Sequence, residues 1–386
     1  MMLSNFMHNL GHSSVNPLVA SYTKYLGTSA QLTGLLAGMF FAISLAMRPF
    51  TGPAVTKYDK RKLLLFVFMT GAVANLGYAL FHNVPSFVAF RFLSGVQYSF
   101  IGSLNMTLAG DHLPKNKLAS GLGIYGIGGA IGNAFAPSIG EAILRLGTNL
   151  GGDSFGFTLM FLFGSLIFAI AVIPAIILAP DKKTKEDSAG VGAWYKNIVS
   201  IHTIPPAMCL FLIMISYAGI STYMFEFGKE QGISNINVFF LVFAATLAIS
   251  RPVSGRLADR FGTGKVLFPA ITLFAFSIFF IGSSNALWMV LIGAVMAAMG
   301  FGSSQPALQA MCIQTETAAR RGVASNTVYV GLDLGLFLGP SLGGLVYARS
   351  DYSTTFKVGV VPAVLTLLCL AIIFPIYKRR LNELNK

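Results

Sequence analysis

Arg251-Pro252-Val253-Ser254-Gly255 restates Arg48-Pro49-Phe50-Thr51-Gly52 at a distance of 203 residues. The same shift carries Lys117 onto Arg320, Gly128 onto Gly331, Gly132 onto Gly335, Pro137 onto Pro340 and Gly140 onto Gly343. A single ungapped offset held over about ninety residues is the signature of two copies of one structural unit. The chain therefore divides near its middle into two halves built alike.

Composition says what the halves are made of. Of 386 residues, 54% fall in the set AVILMFWYC and only 11% are charged, and the mean hydropathy is +0.69; a soluble domain carries about 25% charged residues. Lipid must be the solvent for most of the chain. The net charge of +13 would suit nucleic acid only if Lys and Arg clustered on a wet face among stacking aromatics. Here they sit in short gaps between apolar runs, so no nucleic-acid partner is expected. Cys209, Cys312 and Cys369 fall inside apolar runs without metal-ligand spacing, and neither a disulfide frame nor a metal site is expected. No cleavable leader is expected ahead of the first run.

A helix needs about 20 mostly apolar residues to cross about 30 Å of hydrocarbon. Cutting the chain at charged or turn-rich breaks predicts twelve such spans, near 2–23, 32–54, 63–82, 85–109, 118–143, 157–179, 205–227, 235–255, 265–283, 286–310, 322–347 and 355–377. They are helices because an open sheet edge cannot be satisfied in lipid. The expected fold is all-α: two six-helix bundles, 1–180 and 204–386, joined by a polar linker at 181–203. That linker carries Asp181, Lys182, Lys183, Lys185, Glu186 and Asp187, with room for a short amphipathic helix around Trp194 and Tyr195. Of 27 Lys and Arg, nineteen fall in gaps on the linker's side of the membrane and five on the other. The positive-inside rule then places the linker and both termini in the cytoplasm.

The repeat has a packing motif. Gly331, Gly335, Gly339 and Gly343 form a four-residue ladder in the eleventh span, echoed in the fifth by Gly128, Gly132, Ala136 and Gly140. Small faces of this kind let helices pack backbone to backbone. Pro340 and Pro137 interrupt the two ladders, each removing a helix hydrogen bond and permitting a bend.

Between the eighth and ninth spans, Gly255-Arg256-Leu257-Ala258-Asp259-Arg260-Phe261-Gly262 reads as G-x-L-a-D-R-x-G. With twelve spans and the half-chain repeat, this loop resembles the signature of the major facilitator superfamily, and the resemblance covers essentially the whole chain. It implies a secondary transporter that rocks two halves about a central site, with Gly255, Asp259, Arg260 and Gly262 in a cytoplasmic gate. The first-half counterpart supplies Gly52, Asp59 and Arg61, with Thr56 where the family has Asp. Asp111, before His112-Leu113-Pro114, resembles the family's gate acid. Arg91-Phe92-Leu93-Ser94-Gly95 resembles the family's R-x-x-x-G element, whose arginine is associated with proton-coupled transport. Gly132, Ala136-Pro137 and Gly140 are similar to the fifth-helix element G-x-x-x-G-P-x-x-G of exporting antiporters, with Ala in place of one glycine.

Ionisable groups inside spans are functional hypotheses by default. Arg91 would cost about 2.5–3.5 kcal/mol on insertion scales unless it faced a polar interior. Asp333 in the eleventh span lies one turn from Tyr329 and Phe337 and two from Asn326. Burial favours the neutral form of a carboxyl group, which suits loading and release of a proton; a structural hydrogen-bonding role beside the ladder is the alternative. Glu226, at the outer end of the seventh span after Tyr217, Thr222 and Tyr223, either attracts a cationic substrate or is simply solvated.

His8, His12 and Asn16 form a four-residue stripe on the first helix, a face unfit for lipid. Tyr98 and Asn105 share a face of the fourth helix with Arg91, and Gln305 and Gln309 lie one turn apart on the tenth, below Met299. Apolar, aromatic and neutral polar groups together make a small-molecule site. No G-x-x-x-x-G-K-[ST] loop occurs, no nucleophile and base pair stands in any loop, and no cofactor is expected. The expectation is a proton-coupled, monomeric exporter of small organic or drug-like compounds in the inner membrane. The competing readings are a proton-coupled importer of a sugar, organic acid or other metabolite and, remotely, a non-transporting membrane receptor.

Overall fold

The computed structural model describes residues 2–28, 30–113, 117–177 and 198–384. Lys115, and the expected linker with Trp194 and Tyr195 as far as residue 197, lie outside the described residues. Among the described residues the regular structure is helical, without strands: α1 Met2–Val15, α2 Val19–Tyr25, α3 Ala30–Lys57, α4 Lys60–Leu80, α5 Val84–His112, α6 Leu118–Ile177, α7 Ile204–Glu230, α8 Val238–Phe261, α9 Thr263–Gly282, α10 Leu287–Gln314, α11 Arg321–Tyr347, α12 Tyr352–Val358 and α13 Val360–Leu384.

These elements make the twelve membrane-spanning helices of an integral membrane protein. Eight described helices are long and apolar enough to cross a bilayer by length and composition, and one of them, α6, holds two spans. The other three spans are α1–α2, α3 and α5, which carry the buried His8, Arg48, Arg91, Gln97 and Asn105. α1 gives way to a 3-10 turn at Asn16–Leu18 because Pro17 sits in its first positions. The last span is two pieces, α12 and α13, meeting at Gly359.

The gap expected between residues 143 and 157 is helical instead. Glu141 and Arg145 pair at 2.6 Å one turn apart, and α6 continues to a break at Gly151 and Gly152, where Gly152 has a φ of +80° that glycine tolerates. The two arms close tightly there: a Cβ on Gly147 would lie 2.7 Å from the Cα of Gly156.

The chain forms two compact units, Met1–Leu108 with Gly128–Ile198, and Ala109–Ile127 with Val199–Lys386. In the first, Leu64, Val67 and Phe68 of α4 pack with Ile101 and Leu104 of α5 and Phe168 of α6. A second cluster gathers Val19, Tyr22, Leu36, Tyr78, Phe87 and Phe161. In the second unit α9 packs on α10, α7 on α11 and α8 on α10.

The glycine ladders do what their spacing predicts. Cβ atoms on Gly331, Gly335 and Gly339 would lie 2.8, 2.7 and 2.6 Å from the carbonyls of Ala207, Phe211 and Ile215, so α11 rides along α7 in four-residue register. In the first unit Cβ atoms on Gly128 and Gly132 would lie 2.5 and 3.0 Å from the carbonyls of Met2 and Phe6, and one on Gly140 would clash with the carbonyl of Ser14. Ala136 fits the same seam, fully buried against Leu10 and Ile167.

Candidate functional site

The polar stripe of α1 folds inward because nothing on it can face lipid. In the first unit the His8 and His12 rings stack 5.9 Å apart, and His12 lies 4.7 Å from Phe40 and 5.0 Å from Tyr98. Gln97 Nε2 reaches His8 Nδ1 at 3.4 Å. Behind this box sits Arg91, only 2% exposed. Its NH2 donates to Asn16 Oδ1 at 2.7 Å and its Nε to the Leu36 carbonyl at 3.4 Å, with the guanidinium 4.8 Å from the Phe40 ring centre. A cation packed on an aromatic face and hydrogen-bonded to an amide stays charged where water is excluded. His8, His12, Asn16, Arg91 and Tyr98 are therefore one assembly. Asn105 lies apart from it, accepting a hydrogen bond from Ser4 Oγ at 2.9 Å.

In the second unit the centre is a residue that the motifs did not single out. Arg251 donates through NH2 to Gln305 Oε1 at 2.7 Å and through NH1 to the Gly126 carbonyl. Tyr217, Tyr125 and Tyr329 lie close enough to act on its charge, and Tyr217 stacks on Phe301 at 4.4 Å. Gly123 and Gly126 permit this approach: Cβ atoms there would lie 2.7 Å from the Arg251 carbonyl and 2.6 Å from its NH1. Its repeat-mate Arg48 is sealed at 1% exposure, donating to the Ser99 carbonyl at 2.6 Å and Ser103 Oγ at 3.1 Å. The signal in the sequence was the repeated arginine within a span.

Asp333 is buried at 5% exposure and Asn326 at 0%, while Gln309 is half-buried one turn beyond Gln305. Phe337, grouped with Asp333 by spacing, is 58% exposed. Three further expected cavity or coupling residues have these surroundings. Met299 continues an exposed apolar stripe through Trp288, Ile292 and Val295, spaced 4, 3 and 4 residues along α10. The Tyr223 hydroxyl donates to the Pro340 carbonyl at 2.6 Å and braces the bend of α11. Glu226 forms an exposed pair with Lys229 at 2.7 Å.

Around the expected gate, Asp259 Oδ2 accepts the Ser120 backbone N–H at 3.1 Å, and Asp111 pairs with Arg321 at 3.1 Å. Arg321 also donates to the Gly110 carbonyl at 3.0 Å. Gly262 ends α8 with a φ of +91°, and Arg260 lies over the Phe261 ring at 5.2 Å. The first-half counterparts are local instead. Asp59 caps α4 by accepting the Lys62 N–H at 3.0 Å, and Arg61 donates to the Ile176 carbonyl at 2.6 Å. Thr56 bonds back to the Gly52 carbonyl at 2.8 Å, as a neutral residue in that place would. Sequence reasoning passed over Glu316, a buried carboxylate at the end of α10 that accepts from Ser200 Oγ at 2.6 Å. Its place just beyond a span, before Arg320 and Arg321, was the available signal.

A family model described as Major Facilitator Superfamily matches residues 1–245 and 234–385. The multidrug resistance protein MdtG of Enterobacter lignolyticus is 22% identical over 369 residues, 92% of this chain and 86% of that protein. The multi-drug resistance efflux pump PmrA of Streptococcus pneumoniae is 24% identical over 371 residues, covering 91% of this chain and 89% of the pump. The solved structure of the proton:xylose symporter XylE superposes with a TM-score of 0.77 at 13% identity, over 96% of this chain and 94% of that one; at that identity the likeness is one of fold.

Proposed function

The chain belongs to the Major Facilitator Superfamily, and we propose that this transporter is a proton-coupled exporter of small organic, drug-like compounds. The observation that carries the export reading is the full-length similarity to relatives named for multidrug resistance and efflux. The ladders support a moving part: α6 against α1 and α11 against α7 are close-packed seams, each interrupted by a proline. Such a seam can bend without opening a void.

In this reading Asp333 is the proton carrier, since it is the single carboxylate well inside a span. Arg91 holds the α1–α3–α5 box of the first unit in a charged, fixed geometry for substrate contact. Glu226, exposed and paired, supports coupling less well than these two. The charge asymmetry of the loops supports placement in the cytoplasmic membrane with both termini inside. The protein acts as a monomer in this account.

Inside-out vesicles carrying a pH-sensitive dye and energised by respiration test it. Adding a compound from a panel of drugs, sugars and organic acids should restore dye signal for drug-like members, and Asp333→Asn or Arg91→Ala should abolish the response. A response to sugars alone, or one unchanged in Asp333→Asn, would overturn the reading.

A further inference from the structure

The chain has 14 acidic residues, and of these Asp333 alone lies well inside a span, against Arg48, Arg91 and Arg251. An excess of buried cations is costly unless each finds a partner. Arg48 and Arg91 are sealed at 1% and 2% exposure among carbonyl, hydroxyl and amide oxygens. Arg251 differs from its repeat-mate. It is half-buried where Arg48 is sealed, and among the described residues its Nε is a buried donor with no hydrogen-bond partner.

Among the described residues, the groups that act on the Arg251 charge or accept from its NH2 are neutral. They are the phenols of Tyr217, Tyr125 and Tyr329 and the amide of Gln305. Tyr125 and Tyr329 are hydrogen-bonded to one another, and the Tyr217 ring, half-buried, stacks on Phe301. Guanidinium and phenol donors beside stacked aromatic faces match one ligand chemistry: an oxyanion head on an aromatic or otherwise apolar body.

We propose that Arg251 is the substrate's charge contact and that the transported compounds are amphipathic organic anions, such as aryl carboxylates, sulfonates or phosphonates. An oxyanion bound there supplies the acceptor that Nε lacks, Tyr217 donates to a second oxygen, and the organic body lies along the Tyr217–Phe301 stack. A cationic compound would meet Arg251 in like-charge repulsion. This inference rests on the transporter reading for calling the ligand a substrate, but the site is testable by binding alone.

The test is fluorescence anisotropy of four matched probes on the purified full-length protein: 2-naphthoate, naphthalene-2-sulfonate, neutral 2-naphthamide and a naphthyl trimethylammonium salt. The two anions should bind about tenfold or more tightly than the amide, the factor that hydrogen bonds to a charged group supply. Arg251→Gln should erase that preference and Arg251→Lys should keep part of it. Tyr217→Phe, which leaves the ring stack intact, should weaken the anions and spare the amide, and so keeps the test decisive if Arg251→Gln fails to fold. Equal binding of cation and anions, no anion binding, or an anion preference that survives both Arg251→Gln and Tyr217→Phe would overturn the proposal. Anion binding without a dye response in vesicles would sink proton-coupled export and leave the anion site standing. A dye response to cations alone would do the reverse.

Discussion

Arg91 shows what single residues disclose and what they withhold. Its cost in lipid announces that it must face inward, but its partners Asn16, Leu36 and Phe40 come from two other helices, and no local pattern names them. Asn16→Ala should remove the 2.7 Å acceptor and lower the melting temperature of the purified protein, since a hydrogen bond to a buried charge is worth about 1.5–3 kcal/mol. Asn16→Asp, which restores an acceptor, should recover most of the loss; an unchanged melting temperature in Asn16→Ala would mean that Arg91 is held by other groups. The stripe of His8, His12 and Asn16 was legible because a four-residue period survives folding. The surroundings of Met299 were not legible because a methionine inside an apolar span fits either face; in the fold it continues the exposed run Trp288, Ile292, Val295. Arg251 was visible as a repeated arginine, yet its unsatisfied Nε depends on Gly126, Gln305 and three tyrosines meeting in space.

Helices carry their own tests. Gly219 of α7 and Gly335 of α11 are both helical glycines, and alanine is preferred in a helix by about 1 kcal/mol. A Cβ on Gly219 would meet nothing within 4 Å, whereas one on Gly335 would lie 2.5 Å from Met214 Cβ and 2.7 Å from the Phe211 carbonyl. Gly219→Ala should therefore leave the melting temperature unchanged or raise it slightly, and Gly335→Ala should lower it by several degrees. Equal effects would contradict the packing of α11 on α7. At the start of α12 the Asp351 carboxylate accepts the Thr354 N–H at 2.6 Å, and this bond holds its acidity constant below the usual aspartate value of 3.8. A depressed carboxyl stabilises the cap above the unfolded value and loses that contribution as pH falls through the folded one. Hydrogen exchange at Thr354 should be protected at pH 6 relative to Asp351→Ala, with the difference shrinking on acidification below about 4. Helix ends such as this were the least legible elements, and the continuation of α6 past residue 143 depended on a Glu141–Arg145 pair and a two-glycine turn.

At the scale of the molecule the sequence carried most of the fold: one ungapped offset and the hydropathy of twelve stretches specify two six-helix repeats. It did not carry the grouping of Ala109–Ile127 with Val199–Lys386, because Asp111–Arg321, Ser120–Asp259 and Gly126–Arg251 join residues more than a hundred positions apart. Arg321→Gln should lower thermal stability less in an Asp111→Asn background than in the natural protein, as partners in one ion pair require; additive losses would mean the 3.1 Å pair contributes nothing.

The central claim is that a proton gradient drives export through Asp333. Its most direct test uses the purified full-length protein alone in liposomes, with an imposed pH gradient and a compound found active in vesicles. The account predicts accumulation that collapses when an ionophore removes the gradient, and an Asp333→Asn variant that still exchanges compound for compound but no longer accumulates it. Accumulation that persists without the gradient, or that Asp333→Asn leaves intact, would contradict it.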